Sequence, residues 1–253
     1  MIGLVVRKEL LELRRSKVLL LSMISLPSTV VAVPVLLLGW LVKRAPEQAL
    51  AFVQEFYGVK AGATVAGVAA VLARNWLPMF LVLPVFLPIL IAAQSIGGER
   101  ERRTLEPLLA TPVSTTSIIL GKSIAALIPA LIITWTAAAI FCLSIDLIVH
   151  QPLLPDSSWL FGTLLLAPLL ALFGNGAAVV VSARVLDPRA AQNLAATTVL
   201  PLLGLLVTQL AGKISLGPRF YVSLALGVLL LDIALITFAV RTFDRERLLT
   251  HWR

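Results

Sequence analysis

The chain offers little for acid–base, nucleophilic or metal chemistry. Its two histidines, His150 and His251, are far apart, and its one cysteine, Cys142, sits inside an apolar run. A hydrolase needs a nucleophile beside a base, and a metal site needs several ligands at close spacing. Neither arrangement can be assembled here, and no HExxH occurs. The phosphate-cradling pattern GxxxxGK[ST] fails as well, because Thr116 stands where a loop ending in Gly121-Lys122-Ser123 requires its first glycine. A single cysteine allows no intrachain disulfide, and Cys142 reads as a small buried hydrophobe. The sequence therefore predicts no enzyme and no metal site, and no cofactor bound by the chain itself.

A few polar residues interrupt the apolar runs. Asp232 lies near the middle of the last one. An isolated carboxylate in hydrocarbon is costly, so it must be protonated, paired or facing water. A bond to another helix is the favoured role, with proton coupling and cation or substrate contact as alternatives. Asn175, between Gly174 and Gly176, permits close helix packing plus an interhelical hydrogen bond. Gln94, Ser95 and Gln209 read in the same structural way.

The densest polar stretch is Gly98 to Ser114. Six of the eight residues from Glu99 to Glu106 are charged, with apolar runs on both sides. Such an island must lie in water, and its balanced charge suits a protein partner better than a lipid surface. Glu99 to Arg103 can extend the preceding helix, because those residue types form helix well. Pro107 fits the first turn of a short new helix after Thr104. Leu105, Leu108 and Leu109 then share one face, Thr111-Pro112 stops the helix, and Ser114 can cap the next span. An apolar ridge with a charged rim is a shape that enters a groove on a partner, though an ordinary amphipathic loop would look alike.

The elements that must hold this island are membrane spans. The chain is 59% hydrophobic and 13% charged, against roughly 25% charged in soluble domains. Its mean hydropathy of +0.98 is more than one core could bury. Six runs reach the roughly 20 residues needed to cross, near 18–42, 76–98, 116–145, 159–183, 194–211 and 221–241. The first is too long for a signal-peptide core, and no cleavage site follows it. Residues 1–17 form an amphipathic interfacial helix with Ile2, Val6, Leu10 and Leu13 on one face. Residues 242–253 form a tail. The 43–75 segment reads as an external loop whose small apolar part, Ala61 to Ala73, either dips into the membrane or lies on it. Prolines recur within the spans, at 27, 34, 78, 84, 88, 129, 168 and 201, and suit kinked helices.

The net charge of +8 is distributed asymmetrically rather than on a nucleic-acid-binding face. Fifteen Lys and Arg fall on the side of the termini and of the 2–3 and 4–5 loops, against six on the other. The positive-inside rule then places both termini and the island in the cytoplasm.

Glu99-x-Glu101-x-x-Thr104-Leu105-Glu106-Pro107-Leu108-Leu109-Ala110-Thr111-Pro112-Val113-Ser114, followed by Ile119-Leu120-Gly121-Lys122, resembles the signature of ABC-2 type transporter permeases. The layout is similar too: interfacial helix, six spans and a charged 2–3 loop. Arg103 departs from the family, which usually has glycine there. The resemblance implies an all-α, type V exporter-like permease in the cell membrane, dimerising with a second copy or a paralogue and pairing with ATPase subunits that hold ATP and Mg. It implies that the loop 99–115 is a coupling helix, with Glu99, Glu101, Arg102, Thr104, Leu105, Glu106 and Leu108 meeting the ATPase. It also implies a substrate path at the dimer interface, lined by spans one, two and five. Two other classes compete: a non-transporting membrane anchor for a soluble ATPase, and a membrane-embedded lipid-modifying enzyme. The second would need polar catalytic residues clustered at one membrane face.

Overall fold

A computed structural model of the chain describes residues 2–44, 46–57, 64–101, 115–182, 185, 187–211 and 216–242. All regular structure among these residues is helical. Helix α1 (Ile2–Arg15) ends at Ser16, whose N–H bonds back to the Glu12 and Leu13 carbonyls. The Ser16 hydroxyl also accepts from Leu19 N–H, so one residue both closes α1 and caps α2 (Lys17–Arg44). Then come α3 (Pro46–Tyr57), α4 (Val65–Asn75), α5 (Leu77–Glu101) and α6 (Thr115–Val149). Helix α7 (Ser157–Ser182) includes a π-helical stretch over Phe161–Leu166. Helices α8 (Pro188–Ala196) and α9 (Leu200–Leu210) are joined by a 3-10 turn at Thr197–Val199, and α10 (Pro218–Thr242) closes the described fold.

Six helical stretches are long and apolar enough to cross a membrane: Lys17–Arg44, Ala66–Ala92, Ser117–Val149, Ser157–Ser182, Arg189–Gln209 and Pro218–Thr237. The chain is a multi-pass membrane protein. From Val65 onward, the small apolar part of the 43–75 segment, expected to dip into the membrane or lie on it, is the helix α4. Thr64 caps it by accepting from Gly67 N–H, and Val68, Ala69 and Ala73 are buried. The alanine-rich run favours helix, and Trp76 continues almost helically into α5. With 11 residues, α4 is too short to be a seventh span on its own.

The bundle is built around α5. In its apolar stretch 83% is buried, against 28% for α2, 28% for the α8–α9 span and 22% for α10. Leu77, Phe80, Leu83, Val85, Leu87 and Ile89 are fully enclosed. Helix association in lipid depends on close van der Waals contact rather than on expelling water. Gly174 supplies that contact, since a Cβ there would lie 2.3 Å from the Val85 carbonyl oxygen of α5. Gly176 faces the other neighbour, where an added Cβ would make only ordinary contact, 3.8 Å from Leu235 of α10. Phe80, Phe141 and Trp159 form an aromatic trio, with centroids 4.9 to 5.1 Å apart, that joins α5, α6 and α7.

The prolines divide into two groups. Pro27, Pro34, Pro84, Pro88 and Pro129 lie inside helices, as expected. Pro78 and Pro201 instead occupy first turns, where the missing N–H costs nothing. Pro168 cannot donate to the Leu164 carbonyl, and the π-helical stretch lies over that carbonyl.

Candidate functional site

Of the residues expected to meet a partner, Arg102, Thr104, Leu105, Glu106 and Leu108 lie outside the described residues. Glu99 and Glu101 belong to the last turn of α5, and Gln94 to the turn before it. Beside this segment the structure shows a site that sequence reasoning missed.

Lys122, near the start of α6, is 5% exposed, and Glu9 of α1 is 7% exposed. The Lys122 ammonium donates to Glu9 Oε1 at 2.7 Å and to Ser95 Oγ of α5 at 2.8 Å. The Ser95 hydroxyl donates in turn to Glu9 Oε2 at 2.6 Å. Three helices thus contribute one side chain each to a closed triangle. Lys8 adds a weaker contact to Glu9 at 3.7 Å. Burial alone would raise the Glu9 pKa. The Lys122 charge and the hydrogen bonds from Lys122 and Ser95 outweigh it and hold the carboxyl below its ordinary value. Glycine at 121 lets α1 lie directly on α6, because a Cβ there would be 2.7 Å from the Val5 side chain.

The signal for this cluster was in the sequence. Glu9 falls on the same helical face as Ile2, Val6 and Leu13, and a carboxylate inside an apolar stripe requires a partner. Lys122 enters the sequence reading in the Gly121-Lys122 signature and among the fifteen charges on one side, not as a partner for Glu9.

A second polar cluster occupies the opposite end of the bundle. Gln209 of α9 donates to Asn75 Oδ1 at 2.9 Å, and both are buried. Tyr221 of α10 is fully enclosed, and its hydroxyl lies beside the Gln209 amide without a well-formed hydrogen bond. Gln209 Oε1 and Trp76 Nε1 have none either. At the rim, Arg74 pairs with Asp156 at 2.6 Å, and Asp156 also caps α7 through Trp159 N–H. His150 ends α6 in the left-handed region (φ 58°), and the Asp146 carboxylate then accepts from Leu153 and Leu154 N–H to fold the chain back. Gln209 is a helix-to-helix tie, as the sequence suggests.

Between the two ends, Asp232 is 3% exposed, and its Oδ2 has no partner. The interhelical bond expected of it is absent at that oxygen. Asn175 is buried where α7 meets its neighbours, but its Oδ1 accepts no hydrogen bond. The flanking glycines do the packing, while the expected amide bond does not form at that atom. Cys142 is buried, as a small hydrophobe would be.

Among the described residues, no three His, Cys, Asp or Glu side chains come together. An open apolar groove of about 410 Å³ runs between α2 and α6, lined by residues such as Met23, Pro27, Val31, Ile132 and Thr136. Its surface suits an apolar chain or helix and offers no charged group. The polar contacts among the described residues tie helices to one another.

A family model described as ABC-2 family transporter protein matches residues 4–244. No curated protein matches the sequence.

Proposed function

The chain belongs to the ABC-2 transporter family, and on that premise we propose that it is the membrane half of an ATP-driven exporter. The family is the membrane component of a transporter and not its catalyst, so the energy enters through a separate ATPase subunit carrying ATP and Mg. In this reading the coupling segment 99–115 meets the ATPase, with Glu99, Glu101, Arg102, Thr104, Leu105, Glu106 and Leu108 at the contact. Both termini and that segment face the cytoplasm of a cell membrane, as the fifteen-to-six division of Lys and Arg supports. The permease works with a second copy or a paralogue, and the substrate path runs between the two.

The observation that carries the reading is a family match extending over residues 4–244 on a chain with six crossing helices. The path assignment is narrower than the resemblance implies. Span two is largely buried within its own bundle, which supports a path lined chiefly by spans one and five. Ser28 of α2 and Asn193 of the fifth span lie on exposed faces, where lipid alone would satisfy their polar groups poorly, whereas the neighbouring Ser25, Thr29 and Thr197 hydroxyls donate to carbonyls of their own helices.

The test is a Leu105→Asp/Leu108→Asp variant reconstituted in lipid with the ATPase subunit. Loss of ATPase binding, or hydrolysis without transport, is expected with the spans still folded by circular dichroism. Normal assembly and transport would sink the assignment. An anchor without transport activity would bind the ATPase but move no cargo.

A further inference from the structure

We propose that Glu9 and Lys122 are positioning residues that make α1 part of one rigid frame with the helices flanking the coupling segment. Movement imparted to residues 102–114 then reaches the membrane surface through α1 as well as the bundle interior through α5 and α6. This rests on the ATPase-coupling reading above.

Three observations carry it. First, the triangle stands close to the segment on both sides. Ser95 is about two turns before the end of α5, and Lys122 is about two turns after the start of α6. Second, each member of the triangle contacts the other two, so α1 cannot shift relative to one flanking helix without breaking a charged, buried hydrogen bond. In a low-dielectric site a carboxylate and an ammonium separate only at high cost, so the three helices move together or the pair must reorganise. Third, the contact is steric as well as ionic. At Gly121 there is no room between α6 and Val5, and the Ile2 carbonyl oxygen lies 3.4 Å from the same point. Meanwhile Leu4 and Leu11 of α1 face away from the bundle, 73% and 48% exposed, as in a helix bedded in the lipid surface. One face of α1 is therefore fixed to the frame while the other touches lipid.

A helix that merely anchors the chain in the membrane would keep its depth while the spans move beneath it. The two cases separate in the full complex with its ATPase, in lipid. Spin labels at Leu4→Cys on α1 and Ile132→Cys on α6 report their separation without nucleotide and with ATP plus vanadate. The expected result is a single narrow distance that does not change between the two states. Glu9→Gln/Lys122→Met should lose that narrow distance while the ATPase still co-purifies.

A nucleotide-dependent change of distance in the native pair would overturn the proposal. A distance that stays narrow after neutralisation would remove Glu9 and Lys122 from the role. Failure of the native chain to co-purify with an ATPase is a different result, and it would refute the coupling reading itself.

Discussion

Two polar clusters lie on the same central rod and handle burial in opposite ways. Ser95 and Asn75 are about 20 residues apart along the α4–α5 rod, or about 30 Å, the thickness of a bilayer's hydrocarbon core. At the Ser95 end, burial is met with full charges in a closed triangle. At the Asn75 end, it is met with a neutral amide pair, Tyr221 Oη lies beside Gln209 without a well-formed bond, and Gln209 Oε1 and Trp76 Nε1 are left without partners. A closed charged network fixes one geometry, because any displacement strands an ion. An under-satisfied neutral cluster fixes much less, because its groups gain hydrogen bonds by rearranging or by admitting water. The first end is built to hold and the second to yield.

The sharpest way to break this contrast is to strand an ion. Lys122→Ala leaves Glu9 buried without its cation, and a loss of about 3–5 kcal/mol is expected. Thermal melting in detergent reads it, and the Glu9→Gln/Lys122→Met pair should lose less than Lys122→Ala alone. The pH dependence follows from the lowered Glu9 pKa. A depressed carboxyl adds stability above its ordinary value of 4.5, and that contribution is lost as the pH falls below it. Melting temperature should therefore be insensitive to Glu9 from neutral pH down to about 5 and fall at more acid pH. Glu9→Gln removes that component of the fall.

A smaller effect is expected at the other end. Gln209→Leu strands Asn75 and should cost about 1–3 kcal/mol, whereas Asn75→Leu/Gln209→Leu should be nearly neutral. If the double variant were as damaging as Lys122→Ala, the two ends would not differ as described. The smallest effect belongs to the rim. Arg74 is half exposed, and Arg74→Gln should cost at most about 1 kcal/mol, measurable as a slight shift in melting that salt diminishes.

Much of the fold was legible because the bilayer imposes its length on the sequence. Six apolar runs, the amphipathic first helix and the glycine-mediated packing at Gly174 follow from composition and spacing. The 43–75 segment was harder to read, since alanine and glycine support helix, surface segment and linker alike. The packing of α4 through Val68, Ala69 and Ala73 decides among them. The Glu9–Lys122 pair joins residues more than a hundred positions apart, and no local pattern pairs distant charges. Asp232 illustrates the reverse case. Its burial was legible, but the partner that burial demanded is absent at Oδ2.

The enclosure of α5 sets what kind of displacement it permits. A rod gripped on every side along its apolar length cannot swing outward like a lever. With the Val85 backbone lodged against Gly174, lateral travel would have to push α7 ahead of it. Ser95 also ties its far end to α1 and α6, so displacement at one end of α5 reaches Asn75 only together with the helices packed on it.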